Sequence, residues 1–320
     1  MNVKLKGFIL GAIAAATYGT NPLFALPLYA DGMKADGVLF YRYLFAVPAI
    51  ALMIILRGRS FHVPRRQIAP TAVMGIMMAL SSLLLFEAYN YMDAGIASTL
   101  LFVYPLMVAV IMAIFFHEKL SLSTFVCIAG ALGGIALLFK GGDGGTLSVT
   151  GTVMVMLSSL AYAGYIIGVN RPGLRQVPTV TMIFYVLLSG VVLFGCKTVA
   201  TPGATFAGPT KWYLWGCLLA LAILPTVISF ICTTAAIQYI GPTPTAILGA
   251  LEPVTAVLIG ITVFGESLTG RDWVGLVLIL AAVTLVVARG HITSTLVRFR
   301  RLFPSLRKLN SASGKKNSKE

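Results

Sequence analysis

Long apolar runs alternate with short polar ones along the chain. Ten of them approach or exceed the roughly 20 residues a helix needs to cross hydrocarbon: 7–29, 37–56, 68–90, 95–116, 121–139, 150–170, 178–198, 211–238, 243–264 and 270–288. Connections as short as 91–94 and 117–120 force the helices on either side into antiparallel hairpins. The pattern predicts an all-α membrane protein of ten transmembrane helices.

The pattern also repeats. Residues 88–137 slid forward by 148 positions, without a gap, fall on 236–285 with Tyr91 on Tyr239, Pro105 on Pro253 and Glu118 on Glu266. Ser81 and Ser229 continue the echo, and at an offset of 144 Gly7 and Tyr18 fall on Gly151 and Tyr162. Duplicated units bury similar faces against each other. The expected division is residues 1–140 and 147–290, five helices each, joined by the glycine-rich stretch 140–148 and followed by a basic tail at 291–320. An odd number of crossings makes the second unit start on the opposite side of the membrane. The two repeats are therefore expected to be inverted, as in many secondary transporters.

Composition agrees: 58% of residues are hydrophobic, 11% are charged and the mean hydropathy is +0.91, far from a soluble domain. The net charge of +14 would suggest nucleic acid, but nine of the 24 Lys and Arg lie at or beyond Arg289. The basicity is mostly a tail, so no nucleic-acid role is expected. With both termini cytoplasmic, the inner segments carry 18 Lys and Arg against six outside, the sense of the positive-inside rule. In the tail, Ile292, Leu296, Phe299 and Phe303 alternate with arginines, which fits a segment lying on anionic lipid; a solubilising, partly disordered tail is the other reading. Cys127, Cys196, Cys217 and Cys232 show no CxxC spacing and read as packing residues, and no metal site or cofactor is suggested. The first apolar run is too long for a signal peptide core and is kept as mature structure.

Ionisable residues inside hydrocarbon cost roughly 2.5–3.5 kcal/mol and are functional candidates by default. Glu252 lies near the middle of the ninth run, before Pro253, and its repeat mate Tyr104 precedes Pro105. Glu252 can bind an ammonium group, take up a proton, or sit neutral in helix packing. Arg42 and Glu87 lie at similar depth near the outer face; they form a gate, a static bridge, or separate groups reaching to water, with Asp93 a competing partner for Arg42. Glu118 and Glu266 read as residues fixing hairpins, each followed by a cap, Ser121 or Thr269, for the next helix. Tyr18, Asn21, Tyr104, Tyr162, Ser81 and Ser229 complete the candidate pathway, and Pro22, Pro105 and Pro253 are the candidate hinges. The loop 141–145 lacks the strand and the Lys-Ser/Thr of a phosphate loop, and no nucleophile–base arrangement supports an enzyme.

The paired segments YPLMVAVIMAIFFHEKLS and EPVTAVLIGITVFGESLTG, each with Glu thirteen residues after Pro, resemble the EamA-type branch of the drug/metabolite transporter superfamily. The resemblance covers about residues 7–288. Tyr18-Gly19 stands where the family commonly has Trp-Gly, and His117 replaces a usual Gly. It implies a multi-pass bacterial inner-membrane protein with a central cavity between its halves, exporting small metabolites, with amino acids or related amphipathic solutes foremost. A facilitator for drugs, sugars or nucleotide precursors, and a non-transport scaffold, are the alternatives. Proton coupling, oligomeric state and solute stay open.

Overall fold

The computed structural model describes residues 3–116, 122–138, 148–169, 171, 173, 174, 177–200, 208–240, 245 and 248–285. Glu118, the loop 141–145 and the tail 291–320 lie outside the described residues, where the readings made for them are not addressed. Regular structure among the described residues is entirely helical.

Among the described residues, ten rods follow one another. The first, Val3–Ala30, is broken at Thr20 into Val3–Gly19 and Asn21–Ala30; the second is Ala35–Leu56 and the third Arg65–Ala88. The fourth consists of Ala94–Leu101 and Tyr104–Phe116, the fifth is Leu122–Leu138, the sixth Val149–Val169 and the seventh Thr179–Ala200. The eighth runs through Leu214–Ala222, a π-helical turn Ile223–Ile228 and Ser229–Ile240. Leu251–Phe264 is the ninth, and 270–285 the tenth. Among the described residues, seven stretches are long and apolar enough to cross a membrane, and shorter apolar helices accompany them. The chain is a multi-pass membrane protein. Helices satisfy every backbone group internally, which hydrocarbon requires. Lipid-facing side chains such as Leu56, Phe115, Leu122 and Val199 are accordingly exposed on the protein surface.

The apolar runs locate the rods well, but three of them are not continuous, the first being broken at Thr20. The fourth helix is interrupted at Phe102 and Val103, and turn residues Gly249 and Ala250 precede the ninth. Pro22, Pro105 and Pro253 each stand in the first turn of a helical segment. That position tolerates proline because its missing N–H has no intrahelical acceptor. The break therefore comes before each proline, not at it.

The third helix packs on the sixth and the first on the eighth; the second lies along the seventh, and the fourth meets the ninth. Exchanging each of these helices for the one five positions away leaves the set of partners unchanged. Close approach is made by glycine at matching points. A Cβ on Gly7 would lie 2.8 Å from Tyr239 Cβ, and one on Gly151 would lie 3.2 Å from Tyr91 Cβ. The sixth helix thus starts beside the end of the third, at the far end of the molecule from residue 3.

Polar contacts tie these ends. At the far end, Thr210 donates its N–H and hydroxyl to Asp31 (2.7 and 2.6 Å), and Lys197 pairs with Asp36 at 3.2 Å. At the near end, where the chain begins, Thr181 and Tyr185 donate to the carbonyls of Ser60 and Phe61, both at 2.9 Å.

Candidate functional site

Between the helices lies a cavity of about 370 Å³, within the range of small-molecule sites. Glu252, Tyr104, Tyr18, Tyr162, Arg42, Ser81 and Ser229 all line it. The sequence therefore gathers most of its candidates into one place. Two of the broken helices explain how: the segments beginning at Tyr104 and Leu251 present their first turns to this space, the arrangement of discontinuous helices around a transport site. Gly19 lets the first helix come close there, since a Cβ on it would sit 2.5 Å from the Glu252 carbonyl oxygen and 2.7 Å from Thr255 Cβ.

The aromatic wall is continuous. Tyr104 meets Tyr162 edge-on with centroids 4.6 Å apart, Tyr162 stacks on Tyr165 at 5.8 Å, and Phe102 meets Tyr104 edge-on at 6.2 Å. Arg42 crosses to the eighth helix. Its Nε donates to Thr226 Oγ1 at 3.0 Å, and its guanidinium lies over the Phe86 ring at 5.4 Å. Glu87 is elsewhere: it does not line the cavity, and its carboxylate accepts from Asn90 Nδ2 at 3.4 Å. Arg42 and Glu87 do not form an ion pair. Equal depth in the membrane placed them together in the sequence reading, but the helix rotates Arg42 toward Thr226. Asp93, the competing partner, is not paired with Arg42 either.

Neither Arg42 nor Glu252 forms a salt bridge among the described residues, although the two groups face one cavity and feel each other electrostatically. Beyond Nε, the guanidinium N–H groups make no hydrogen bond there, and the Glu252 carboxylate makes none. The two serines are engaged. Ser158 donates to the Ser81 carbonyl at 2.6 Å, so the Ser81 hydroxyl, 3.0 Å from Ser158 Oγ, donates in return. Ser229 donates to the Ala14 carbonyl at 2.8 Å. These are helix–helix fasteners on the cavity wall, and Ala14 and Ser158 are themselves repeat mates at the offset of 144. Asn21 does not line the cavity; it is buried, and its Oδ1 has no partner among the described residues.

The lining has a direction. Much of it comes as repeat mates, such as Tyr18 with Tyr162 and Tyr104 with Glu252. Tyr165, Ile237, Thr245 and Ile183 line it without their mates Asn21, Tyr89, Ala97 and Leu39. The first four belong to helix ends at the near side. Their mates, at the far side, are 3%, 7%, 0% and 0% exposed. The cavity thus extends toward the end where the chain begins and is sealed at the other.

Glu266 also differs from its sequence reading. Gly265 ends the ninth helix with φ +69°, a left-handed conformation suited to glycine, and the N–H of Glu266 donates to the Gly260 carbonyl at 3.0 Å. The carboxylate then accepts the N–H of Ala94 at 3.0 Å, capping the fourth helix across the two halves. Thr269 does cap the tenth helix: its Oγ1 accepts the Asp272 N–H at 3.4 Å, while its own hydroxyl and N–H donate to Asp272 Oδ2 at 2.7 and 2.8 Å. Among the described residues, no group of three or more His, Cys, Asp or Glu is placed to hold a metal.

Sequence comparison agrees with the architecture. The EamA-like transporter family matches residues 5–140 and again 149–288. The chain belongs to this EamA-like transporter family. Its EamA relatives include the uncharacterized transporter sll1319 of Synechocystis, 28% identical over 315 residues, covering 89% of this chain and 94% of that one. The threonine/homoserine exporter RhtA of Salmonella typhimurium is 25% identical over 251 residues, covering 78% and 80%. A solved crystal structure of a protein with 19% identity superposes with a TM-score of 0.63, covering 88% of this chain and 98% of the other, and so shares the fold. EamA family members are transporters of the drug/metabolite superfamily, not enzymes.

Sequence reasoning missed Thr226. It sits in the π turn beside Pro225, a residue whose repeat mate in the third helix is Met77. Proline in a helical run was the available signal.

Proposed function

We propose that the protein is a secondary transporter of the bacterial inner membrane that exports small zwitterionic metabolites, amino acids or related amphipathic solutes, by alternating access. The observation that carries this reading is that Arg42 and Glu252, groups of opposite charge type, line one cavity without a salt bridge to any described residue. Charge in a membrane interior is costly until paired. A solute carrying both a carboxylate and an ammonium satisfies both groups, while the tyrosine faces take its apolar part and add cation–π attraction. A sugar satisfies neither charge, and a simple cation satisfies only Glu252. The likeness to the threonine/homoserine exporter supports the same class.

The halves are read as inverted repeats that rock about this site. With both termini cytoplasmic, as the distribution of Lys and Arg favours, the near end faces the cytoplasm. The cavity is then in its loading state for export. Opening the far end requires release of Asn21, Tyr89, Ala97 and Leu39, with Pro22, Pro105 and Pro253 fixing the half-helices that move. Glu252 is protonatable, which permits proton antiport. The basic tail is assigned to the anionic cytoplasmic leaflet.

The test is counterflow in proteoliposomes of the purified chain, with labelled L-threonine, L-homoserine and L-leucine set against glucose and a quaternary ammonium dye. Saturable uptake of the zwitterions, accelerated by unlabelled solute inside, is expected. Uptake of the sugar or the dye without the zwitterions contradicts the reading.

A further inference from the structure

We infer that Thr226 is a positioning residue that fixes which edge of the Arg42 guanidinium faces the solute, and so sets a requirement for a carboxylate. The inference rests on the proposed role of Arg42 and goes one step beyond it.

Pro225 sets the local geometry of the eighth helix. Proline has no N–H to give the carbonyl four residues back, and its ring clashes with that carbonyl. That residue is Leu221. The helix responds by widening into the π turn Ile223–Ile228, a local feature common at functional sites. The freed Leu221 carbonyl accepts the Thr226 hydroxyl at 3.0 Å, five residues on. A hydroxyl has one proton. With it committed to Leu221, the oxygen of Thr226 faces Arg42 as an acceptor only, and Arg42 Nε donates to it at 3.0 Å.

This has a stereochemical consequence. A guanidinium can grip a carboxylate along its Nε–Nη edge or along the edge formed by its two terminal nitrogens. Thr226 occupies Nε, and the Phe86 ring covers one face of the group. The terminal edge is left for a planar two-oxygen anion. Arg42 is itself buried at 4% exposure, so this orientation is held by packing as well as by the hydrogen bond. Met78, the repeat mate of Thr226, has no hydroxyl, so the device exists on one side of the cavity only.

The experiment compares Thr226→Val, Thr226→Ser and the parent chain in the same proteoliposomes. Counterflow of labelled L-threonine is competed with unlabelled L-threonine and with L-threoninamide, which keeps the ammonium but lacks the carboxylate. The parent is expected to prefer the acid at least tenfold. Thr226→Val is expected to lose most of that preference through a roughly tenfold higher KM for L-threonine with little change in maximal rate, and Thr226→Ser to restore it. Pro225→Ala, which returns an N–H to the Leu221 carbonyl, is a second variant with an expected intermediate loss. If the parent discriminates and the folded Thr226→Val or Pro225→Ala variants discriminate equally well, the positioning role is overturned while the zwitterion reading stands. If the parent does not discriminate, the carboxylate reading of Arg42 fails and the role of Thr226 falls with it.

Discussion

Glu266, just past the ninth helix, accepts the backbone N–H of Ala94 at the start of the fourth, 172 residues away in sequence and in the other half of the chain. A carboxylate at a helix N-terminus is favoured by the unpaired amides and by the helix dipole. Glu266→Ala should therefore lower thermal stability by about 1–2 kcal/mol, read as a fall in melting temperature of the purified protein. Glu266→Gln, which keeps an acceptor, should lose less.

The same corner predicts a pH dependence. Loss of solvent first, and then the Asp93 carboxylate, raise Glu266 above the ordinary carboxylate range, against the lowering effect of the helix amides; Asp93 is raised by loss of solvent and by Asp272. An acid with a raised folded-state pKa holds its proton more tightly when folded. Its contribution is fully present below the unfolded pKa and is lost as pH rises through the folded value. Asp93→Asn should consequently stabilise the protein near neutral pH, by about 0.5 kcal/mol after allowing for solvent screening, and much less near pH 4. Melting curves at the two pH values check this.

Ser229 and Ser81 face the cavity but spend their hydroxyls on neighbouring helices. Ser229→Ala should cost about 1 kcal/mol of stability and leave solute affinity within about twofold. A large rise in KM with unchanged melting temperature would instead make Ser229 a solute ligand.

The direction of the cavity is open to chemical labelling. In a background lacking Cys127, Cys196, Cys217 and Cys232, Ile237→Cys should react with a membrane-impermeant thiol reagent from the near side, because its position is 42% exposed and lines the cavity. Ala97→Cys, its position 0% exposed, should stay unreactive from either side until solute and a driving gradient populate the opposite state. Equal reactivity of both at rest would contradict a cavity sealed at the far end.

Much of the fold was legible because hydrocarbon allows so few solutions. Apolar length located the helices, and the spacing of Tyr91, Pro105 and Glu118 exposed the duplication. Rarity did the same for the site: a Glu in an apolar run, with Tyr104 as its mate, pointed to the cavity that both line. Depth along a helix was readable, but rotation about its axis was not, so the sequence leaves open whether Arg42 meets Glu87, and the side chain faces Thr226. Glu266 was assigned to the adjacent hairpin because sequence shows neighbours along the chain, and its partner Ala94 is a neighbour only in space. The π turn escaped because its hydrogen bonds shift by one residue at Pro225, whose repeat mate is Met77 and gives no such signal.

In the proposed function, Arg42 and Glu252 together recognise the two charges of one solute. This joint recognition is tested most directly by counterflow of labelled L-threonine in Arg42→Gln and Glu252→Gln, competed with L-threoninamide and with N-acetyl-L-threonine, which lacks the ammonium. Each variant is expected to lose at least tenfold in affinity for the zwitterion, Arg42→Gln to stop distinguishing acid from amide, and Glu252→Gln to stop distinguishing the free from the acetylated amine. Variants that bind and exchange L-threonine as the parent does, with its discrimination intact, would contradict it.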